Sequence, residues 1–279
     1  MKKISIVFLF FITITVSAVG FADANISSDV VYGHKDGMAL IYDVIRPDNQ
    51  NGAAIIYMVS GGWFSRWAPA ESRASQFVDL LEAGFTVIPV HHGSAPRYLV
   101  PEAYADVSRA IRHIHMNADS YGIDADRLGV TGGSAGGHLS LMLGLDSDTG
   151  NMNAEDEVLR YSNQVAAVVA YYPPVDMRTW VGPSPFNERF EALDFDRDLA
   201  PTVSPILFAD PEDPPTLLIH GDADDLVVIS NSEVMQAEFE KQGVVSDFIT
   251  IPGAGHGFRD EDAVQAAKAR LAWFSKHLH

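Results

Sequence analysis

The sequence predicts an α/β fold in which a mostly parallel central sheet is flanked by helices. Three observations carry this. The 279 residues are 47% hydrophobic, which is material for a packed core rather than a disordered tail. Short, almost wholly apolar runs, the mark of strands buried on both faces, alternate with longer helical stretches. The alternation runs through one domain's length with no internal repeat and no low-complexity linker.

The elements follow in order. Met1-Lys2-Lys3, the apolar run from Ile4 to Val16 and the small residues around Ala22-Asp23-Ala24 read as a secretory signal peptide over residues 1–24. The run is short for a bilayer span, and no stop-transfer pattern follows it. Cleavage after Ala24 would leave one domain, 25–279, in the periplasm or the medium and free of the membrane. Val30-Val31-Tyr32 and the run Met38 to Tyr42 flank His34-Lys35-Asp36-Gly37, an opening hairpin turned by the Asp-Gly pair. Apolar strands are expected at 53–59, 86–91, 128–131, 165–171, 216–220 and 247–251. Helices are expected at 70–83, 104–117, from Ala135, at 232–242 and from Asp262. The stretch 173–215, rich in proline and acidic residues, is too long for a plain connection, and 176–208 is expected to form a short lid over a site.

Composition removes several functions. There is no cysteine, hence no disulfide, thiolate zinc site, cysteine nucleophile or lipidated N-terminal cysteine. With 19 basic and 37 acidic residues the net charge is −18, a surface that repels phosphate backbones, so nucleic acid is not an expected partner. The signal segment holds only Lys2, Lys3 and Asp23 as charges, so the acidity stays with the mature domain.

Directly after the strand 128–131 comes Gly132-Gly133-Ser134-Ala135-Gly136-Gly137, opening into an apolar helix. This is G-x-S-x-G between a strand and a helix. Gly132 and Gly136 remove side chains that would collide across so sharp a turn, and the Ser134 hydroxyl is thereby exposed above the strand ends. Ser184 and Ser94 fail the same test, the first lacking the closing glycine and the second the opening one. On these residues the chain resembles the α/β-hydrolase superfamily from the first hairpin to the last helix. Within it the nearest likeness is to bacterial carboxylesterases of the acetylxylan-esterase-like and feruloyl-esterase-like group, related to the catalytic domains of prolyl-oligopeptidase-type peptidases.

That resemblance implies a serine nucleophile, then an acid after a late strand, then a base near the C-terminus. His220-Gly221-Asp222-Ala223-Asp224-Asp225-Leu226-Val227 is similar to H-G-x-x-D-x-x-V, whose fifth residue, Asp224, is the acid. Asp222 is the alternative, since either carboxylate could accept an imidazole N–H. The base is His256 in Gly253-Ala254-Gly255-His256-Gly257-Phe258, because an imidazole titrating near neutrality can take the serine proton and return it to the leaving group.

Val59-Ser60-Gly61-Gly62-Trp63 resembles the H-G-G-G-W oxyanion loop of esterases, which implies backbone donors at Gly61 and Gly62, joined by Ala135 after the nucleophile. Val59 and Ser60 depart from the pattern and remove the side chain that braces the loop in relatives. Trp63 at the mouth of the pocket and His138 one turn after Ser134 are candidate substrate-binding residues, with a packing role as the alternative for each. His91-His92 invites a metal, but adjacent strand residues point to opposite faces and no carboxylate lies at ligand spacing. Asp146-Ser147-Asp148-Thr149-Gly150, with Glu157 at position twelve, imitates a calcium loop but has Gly150 at position five and Asn151 at six, inverting the needed order, and Asp194-Phe195-Asp196-Arg197-Asp198 lacks both the following glycine and the terminal glutamate. Arg97 suits either an acidic substrate or a surface salt bridge.

The expected function is a secreted serine carboxylesterase that hydrolyses short-chain or carbohydrate-linked acyl esters through an acyl-enzyme. It would need no cofactor and no metal, and its substrate would be a small-molecule or polysaccharide ester. The alternatives are a serine peptidase of prolyl-oligopeptidase type and a non-catalytic binding protein of the same fold.

Overall fold

The computed structural model describes residues 25–183 and 185–279; the expected signal peptide, 1–24, lies outside them. Eight strands form one sheet: β1 (Asn25–Lys35), β2 (Met38–Arg46), β3 (Ala54–Met58), β4 (Thr86–Val90), β5 (Leu128–Gly133), β6 (Ala167–Tyr171), β7 (Thr216–Gly221) and β8 (Ser246–Ile251). Their spatial order is β1-β2-β4-β3-β5-β6-β7-β8. The hairpin β1–β2 joins β4 antiparallel, and every pairing from β4 to β8 is parallel. The mostly parallel sheet expected from the sequence is therefore present. Asp36 and Gly37 both have positive φ, +48° and +81°, as the tight turn of a two-residue hairpin requires.

The helices are α1 (Ala70–Ala74), α2 (Val78–Glu82), α3 (Val100–Tyr121), α4 (Ala135–Leu145), α5 (Pro185–Arg189), α6 (Ser230–Gln242) and α7 (Asp260–His277). Alternate strand residues feed two cores, as a sheet covered on both faces demands. Ile56 and Met58 of β3 pack with Val107, Ile111 and Ile114 of α3 and with Leu139 and Leu143 of α4. Ile55 packs on the opposite face with Leu80 of α2 and Phe274 of α7.

Two expectations about helices are corrected. The helix expected over 70–83 is broken by a 3-10 turn at Ser75–Phe77. There Phe77 leaves helical dihedrals, with φ −124° and ψ 22°, and sinks its ring 5.0 Å from that of Tyr57. The helix expected at 104–117 is longer. The Glu102 carboxylate accepts the Leu99 N–H at 3.0 Å and caps its start, while Gly122 in the left-handed region ends it. The long irregular stretch holds α5 and four 3-10 turns: Met177–Thr179, Glu191–Leu193, Arg197–Val203 and Pro205–Leu207. Trp180, Ala192, Leu193, Ala200 and Val203 anchor it to the α3–α4 core. No helix of the described residues is long and apolar enough to cross a membrane.

Because β3, β5, β6, β7 and β8 run parallel, the loops that follow them emerge at one edge of the sheet, where open α/β sheets build their sites.

Candidate active site

Ser134 joins β5 to α4 with φ +55° and ψ −120°, a conformation that costs energy for a non-glycine residue and persists only where its surroundings enforce it. They do so through contacts that exclude side chains. A Cβ on Gly132 would lie 2.6 Å from the Gly136 carbonyl, and one on Gly136 would lie 2.9 Å from the Met58 oxygen at the end of β3. The Ser134 N–H donates to the Tyr171 carbonyl at 2.9 Å, tying the turn to β6. Ser134 itself remains partly exposed.

His256, on the loop after β8, reaches Ser134: its Nε2 is 3.0 Å from Oγ. Its Nδ1 is 2.8 Å from Asp224 Oδ2. The other Asp224 oxygen, Oδ1, accepts the backbone N–H groups of Leu226 and Val227, each at 2.9 Å. Burial would raise the pKa of Asp224. The hydrogen bonds from His220 and His256 and the two backbone donors outweigh it and hold the carboxylate well below its usual range. An ionised Asp224 leaves the proton on Nδ1 of His256 and a lone pair on Nε2, facing the serine. His220 is wholly buried and braces this loop, with Nε2 2.7 Å from the Val227 carbonyl and Nδ1 2.8 Å from Ser232 Oγ. Asp222 is exposed and accepts the Gly253 N–H at 2.6 Å, so it fastens the His256 loop and does not touch the ring.

The loop after β3 differs in part from expectation. Gly61 and Phe64 exchange both backbone hydrogen bonds at 3.1 Å, so the Gly61 N–H is spent inside the turn and is not free for a substrate. Gly62 and Trp63, at the tip, have φ +58° and +56°. Gly62 and Ala135 keep their N–H groups out of that pairing; Ala135 is the first residue of α4, whose N–H has no carbonyl partner within the helix. A Cβ on Gly136 would be 3.4 Å from the Ser60 carbonyl, so the loop rests against the serine turn.

Trp63 and His138 are also corrected. Trp63 is 2% exposed and His138 is 0% exposed, which leaves neither side chain surface to offer a substrate. Trp63 Nε1 donates to His138 Nδ1 at 3.2 Å, and His138 Nε2 lies 2.8 Å from the Val203 carbonyl. The indole can only donate and the carbonyl only accept, so the imidazole is neutral with its proton on Nε2. The pair pins the loop after β3 to α4 and to the 176–208 segment. Burial lowers the pKa of His138 to about 4, against about 6.5 when unfolded. The stabilisation from this neutral ring is complete above pH 6.5 and lost as pH falls towards 4. The stability gap between the wild type and His138→Gln is expected to narrow by roughly 2–4 kcal/mol between pH 7 and pH 4. Denaturant titrations at the two pH values check this; a gap independent of pH would refute it.

Three residues to which the sequence alone assigns no role complete the site. Tyr172, with φ +36°, sets its ring 4.8 Å from that of His256 and 4.9 Å from that of Phe258. Phe190 lies over the loop after β3, where a Cβ on Gly62 would meet its ring at 2.9 Å. His92 is buried, with Nε2 2.8 Å from Ser60 Oγ and Nδ1 2.7 Å from the Gly93 carbonyl. His91 Nδ1 is 3.1 Å from Ser65 Oγ. The histidine pair thus holds the loop at two points, and His92 with Ser60 supplies the brace that Val59 does not. Only the unusual Ser60 hints at it in the sequence. Arg97 is exposed and pairs with Asp36 at 3.2 Å. In the first calcium-like loop Asp148 takes two hydrogen bonds from Arg112.

Known proteins resemble this chain over most of its described length. Esterase LipQ of Mycobacterium tuberculosis is 28% identical over 255 residues, covering 88% of this chain and 59% of its own. Esterase LipC of the same organism is 29% identical over 266 residues, covering 90% and 64%. This chain thus spans less than two thirds of the length of either. Among solved structures, a truncated carbohydrate esterase from gut microbiota superimposes with a TM-score of 0.76 at 30% identity, covering 91% of this chain and 96% of the other. The BD-FAE family profile matches residues 42–239, a span running from β2 through the serine turn and Asp224 into α6, and the chain belongs to the BD-FAE family within the α/β-hydrolase superfamily.

Proposed function

We propose that this protein is a serine carboxylesterase acting on short-chain or carbohydrate-linked acyl esters. The observation that carries the reading is the unbroken hydrogen-bonded line from Ser134 Oγ through His256 to Asp224, at the edge of the sheet and beside a glycine loop. His256 Nε2 takes the Ser134 proton as Oγ attacks the ester carbonyl. The developing oxyanion is met by the N–H groups of Gly62 and Ala135. His256 then returns the proton to the departing alcohol, leaving an acyl-serine. Water, deprotonated by the same imidazole, hydrolyses this to the acid and restores Ser134. Asp224, ionised throughout, stabilises the imidazolium. Tyr172, beside His256, limits how far the ring can swing.

Phe190, half-buried over Gly62, is backed by the buried Trp63 and Trp180, an aromatic block on the side of the 176–208 segment. Phe190 set over Gly62 narrows the room beside that N–H and favours short acyl groups, and the likeness to a carbohydrate esterase supports an alcohol part of sugar type. Hydrolysis of p-nitrophenyl acetate, butyrate and octanoate, beside p-nitroanilide amides, tests the acyl length and the preference for ester over amide. Acetate or butyrate is expected to exceed octanoate in kcat/KM by at least about tenfold, a difference of some 1.4 kcal/mol in transition-state binding. Preference for octanoate or for the amides would sink the assignment.

The brace has its own consequence. Loss of one oxyanion donor costs about 10²–10³ in kcat, so loosening the loop through His92→Ala is expected to cost about tenfold to a hundredfold in kcat, with a smaller change in KM. Steady-state kinetics at matched folded fraction check this, and an unchanged kcat would contradict it. His92→Gln, which can keep the bond to Ser60, is expected to retain more of the rate.

A further inference from the structure

A cavity of about 490 Å³ opens beside the oxyanion loop, lined by Tyr57, Ser60, Gly61, Phe64, Arg66 and Arg73 among others. Its charge runs against the rest of the molecule. In a chain of net charge −18, several cations are paired with carboxylates, as Lys35, Arg97, Arg109, Arg112, Arg178 and Arg270 are. Arg66 and Arg73 belong to no salt bridge among the described residues. Arg73 is 8% exposed, and its Nε has no hydrogen-bond partner among the described residues. Its Nη2 donates to the Arg66 carbonyl, which ties the two residues together on one wall. Buried Asp43 acts on Arg73 only from beyond salt-bridge distance. Leaving a guanidinium largely buried and unpaired is costly, and an anion supplied from outside would relieve that cost.

We infer that this cavity is a subsite for a carboxylate carried by the substrate. The inference rests on the ester hydrolase reading for its place in the reaction, though not for its test. The cavity shares Ser60 and Gly61 with the loop that rests against the serine turn, so a carboxylate seated there lies a short reach from the ester bond. Arg66, exposed at the rim, meets the anion first, and the planar guanidinium groups suit a two-oxygen acceptor. Two sources share this chemistry: a uronic acid in the sugar part, or a second carboxylate on the acyl part.

Binding to the Ser134→Ala protein, measured by titration calorimetry, separates them. One arm compares a galacturonic acid trisaccharide with galactotriose, and the other compares glutarate with glutaramide. In at least one arm the acid is expected to bind at least about tenfold more tightly than its neutral partner, the range of one charge-assisted hydrogen bond. Arg66→Gln, a change at an exposed position, is expected to remove most of that difference, and Arg73→Lys to reduce it. The arm that responds identifies the source. Equal binding of acid and neutral partner in both arms overturns the inference, as does a preference that survives Arg66→Gln in a protein of unchanged thermal midpoint. Because the readout is binding, a wild type inert towards p-nitrophenyl acetate would refute the hydrolase reading without bearing on the carboxylate subsite.

Discussion

Ser134→Ala is expected to abolish ester hydrolysis, lowering kcat on p-nitrophenyl acetate by about 10⁵–10⁶, the loss seen when a triad nucleophile is removed from an intact serine hydrolase. The residual rate reflects polarisation of the carbonyl by the Gly62 and Ala135 N–H groups and the positioning of water by His256. The substitution removes one oxygen from a partly exposed side chain, so the thermal midpoint is expected to move little. The relief of crowding is small, since the positive φ at 134 remains for alanine. A fluorophosphonate probe should label the wild type at one residue, Ser134, and leave the variant unlabelled. Substantial esterase activity in the variant, or labelling elsewhere, would refute the role given to Ser134. A fully inert wild type that also resists the probe would favour a binding protein of the same fold.

Asp224→Asn tests the acid, and its expected effect is a loss of about 10⁴ in kcat near neutral pH. The direction follows from the surroundings. Oδ1 of residue 224 receives N–H groups from Leu226 and Val227, so an asparagine must turn its carbonyl oxygen to them. Its amide nitrogen then faces His256 Nδ1 and donates to it. The imidazole is driven to carry its proton on Nε2, where it cannot accept one from Ser134. Asp222→Asn, by contrast, disturbs a hydrogen bond to Gly253 on the exposed side of the loop, and its kcat is expected to fall by no more than about fivefold, in line with loss of one exposed hydrogen bond. Kinetics on the two variants, with circular dichroism to confirm folding, decide between them. A larger loss at Asp222 than at Asp224 would reverse the assignment.

Much of this is legible from local pattern. Apolar runs in a chain of one domain's length specify the parallel sheet, because a strand covered on both faces has no polar side to display. Gly132 and Gly136 mark the serine turn through steric necessity: the contacts at 2.6 Å and 2.9 Å that a Cβ would make at those positions hold whatever else surrounds them. Ser134 can be named from its place in G-x-S-x-G at a strand end, and Asp224 and His256 from the resemblance to α/β-hydrolases, while parallel strands bring such ends to one edge.

Other roles depend on partners distant in sequence. Nearness to the loop and the serine suggests Trp63 and His138 as pocket residues. Their burial, and the carbonyl of Val203 that completes the pair, come from a segment 65 residues further on. Gly61 has the place of an oxyanion donor, but the return bond to Phe64 consumes its N–H, since a loop sequence specifies glycine but not which amide the turn will spend. His91 and His92 suggest a metal or nothing, because their serine partners lie on the loop after β3. Arg66 and Arg73 carry no signal in composition, where arginines in an acidic protein look like ordinary salt-bridge partners.

The division has a physical basis. Backbone propensity, hydrophobic period and steric exclusion act over a few residues, so the sequence by itself determined the sheet and the serine turn, while the order proposed for nucleophile, acid and base came through family resemblance. Burial, hydrogen-bond pairing and the isolation of a charge are properties of groups brought together from distant parts of the chain. Only the tertiary structure decided that His92 braces the loop after β3, that His138 is held neutral, and that Arg66 and Arg73 form no salt bridge among the described residues beside that loop.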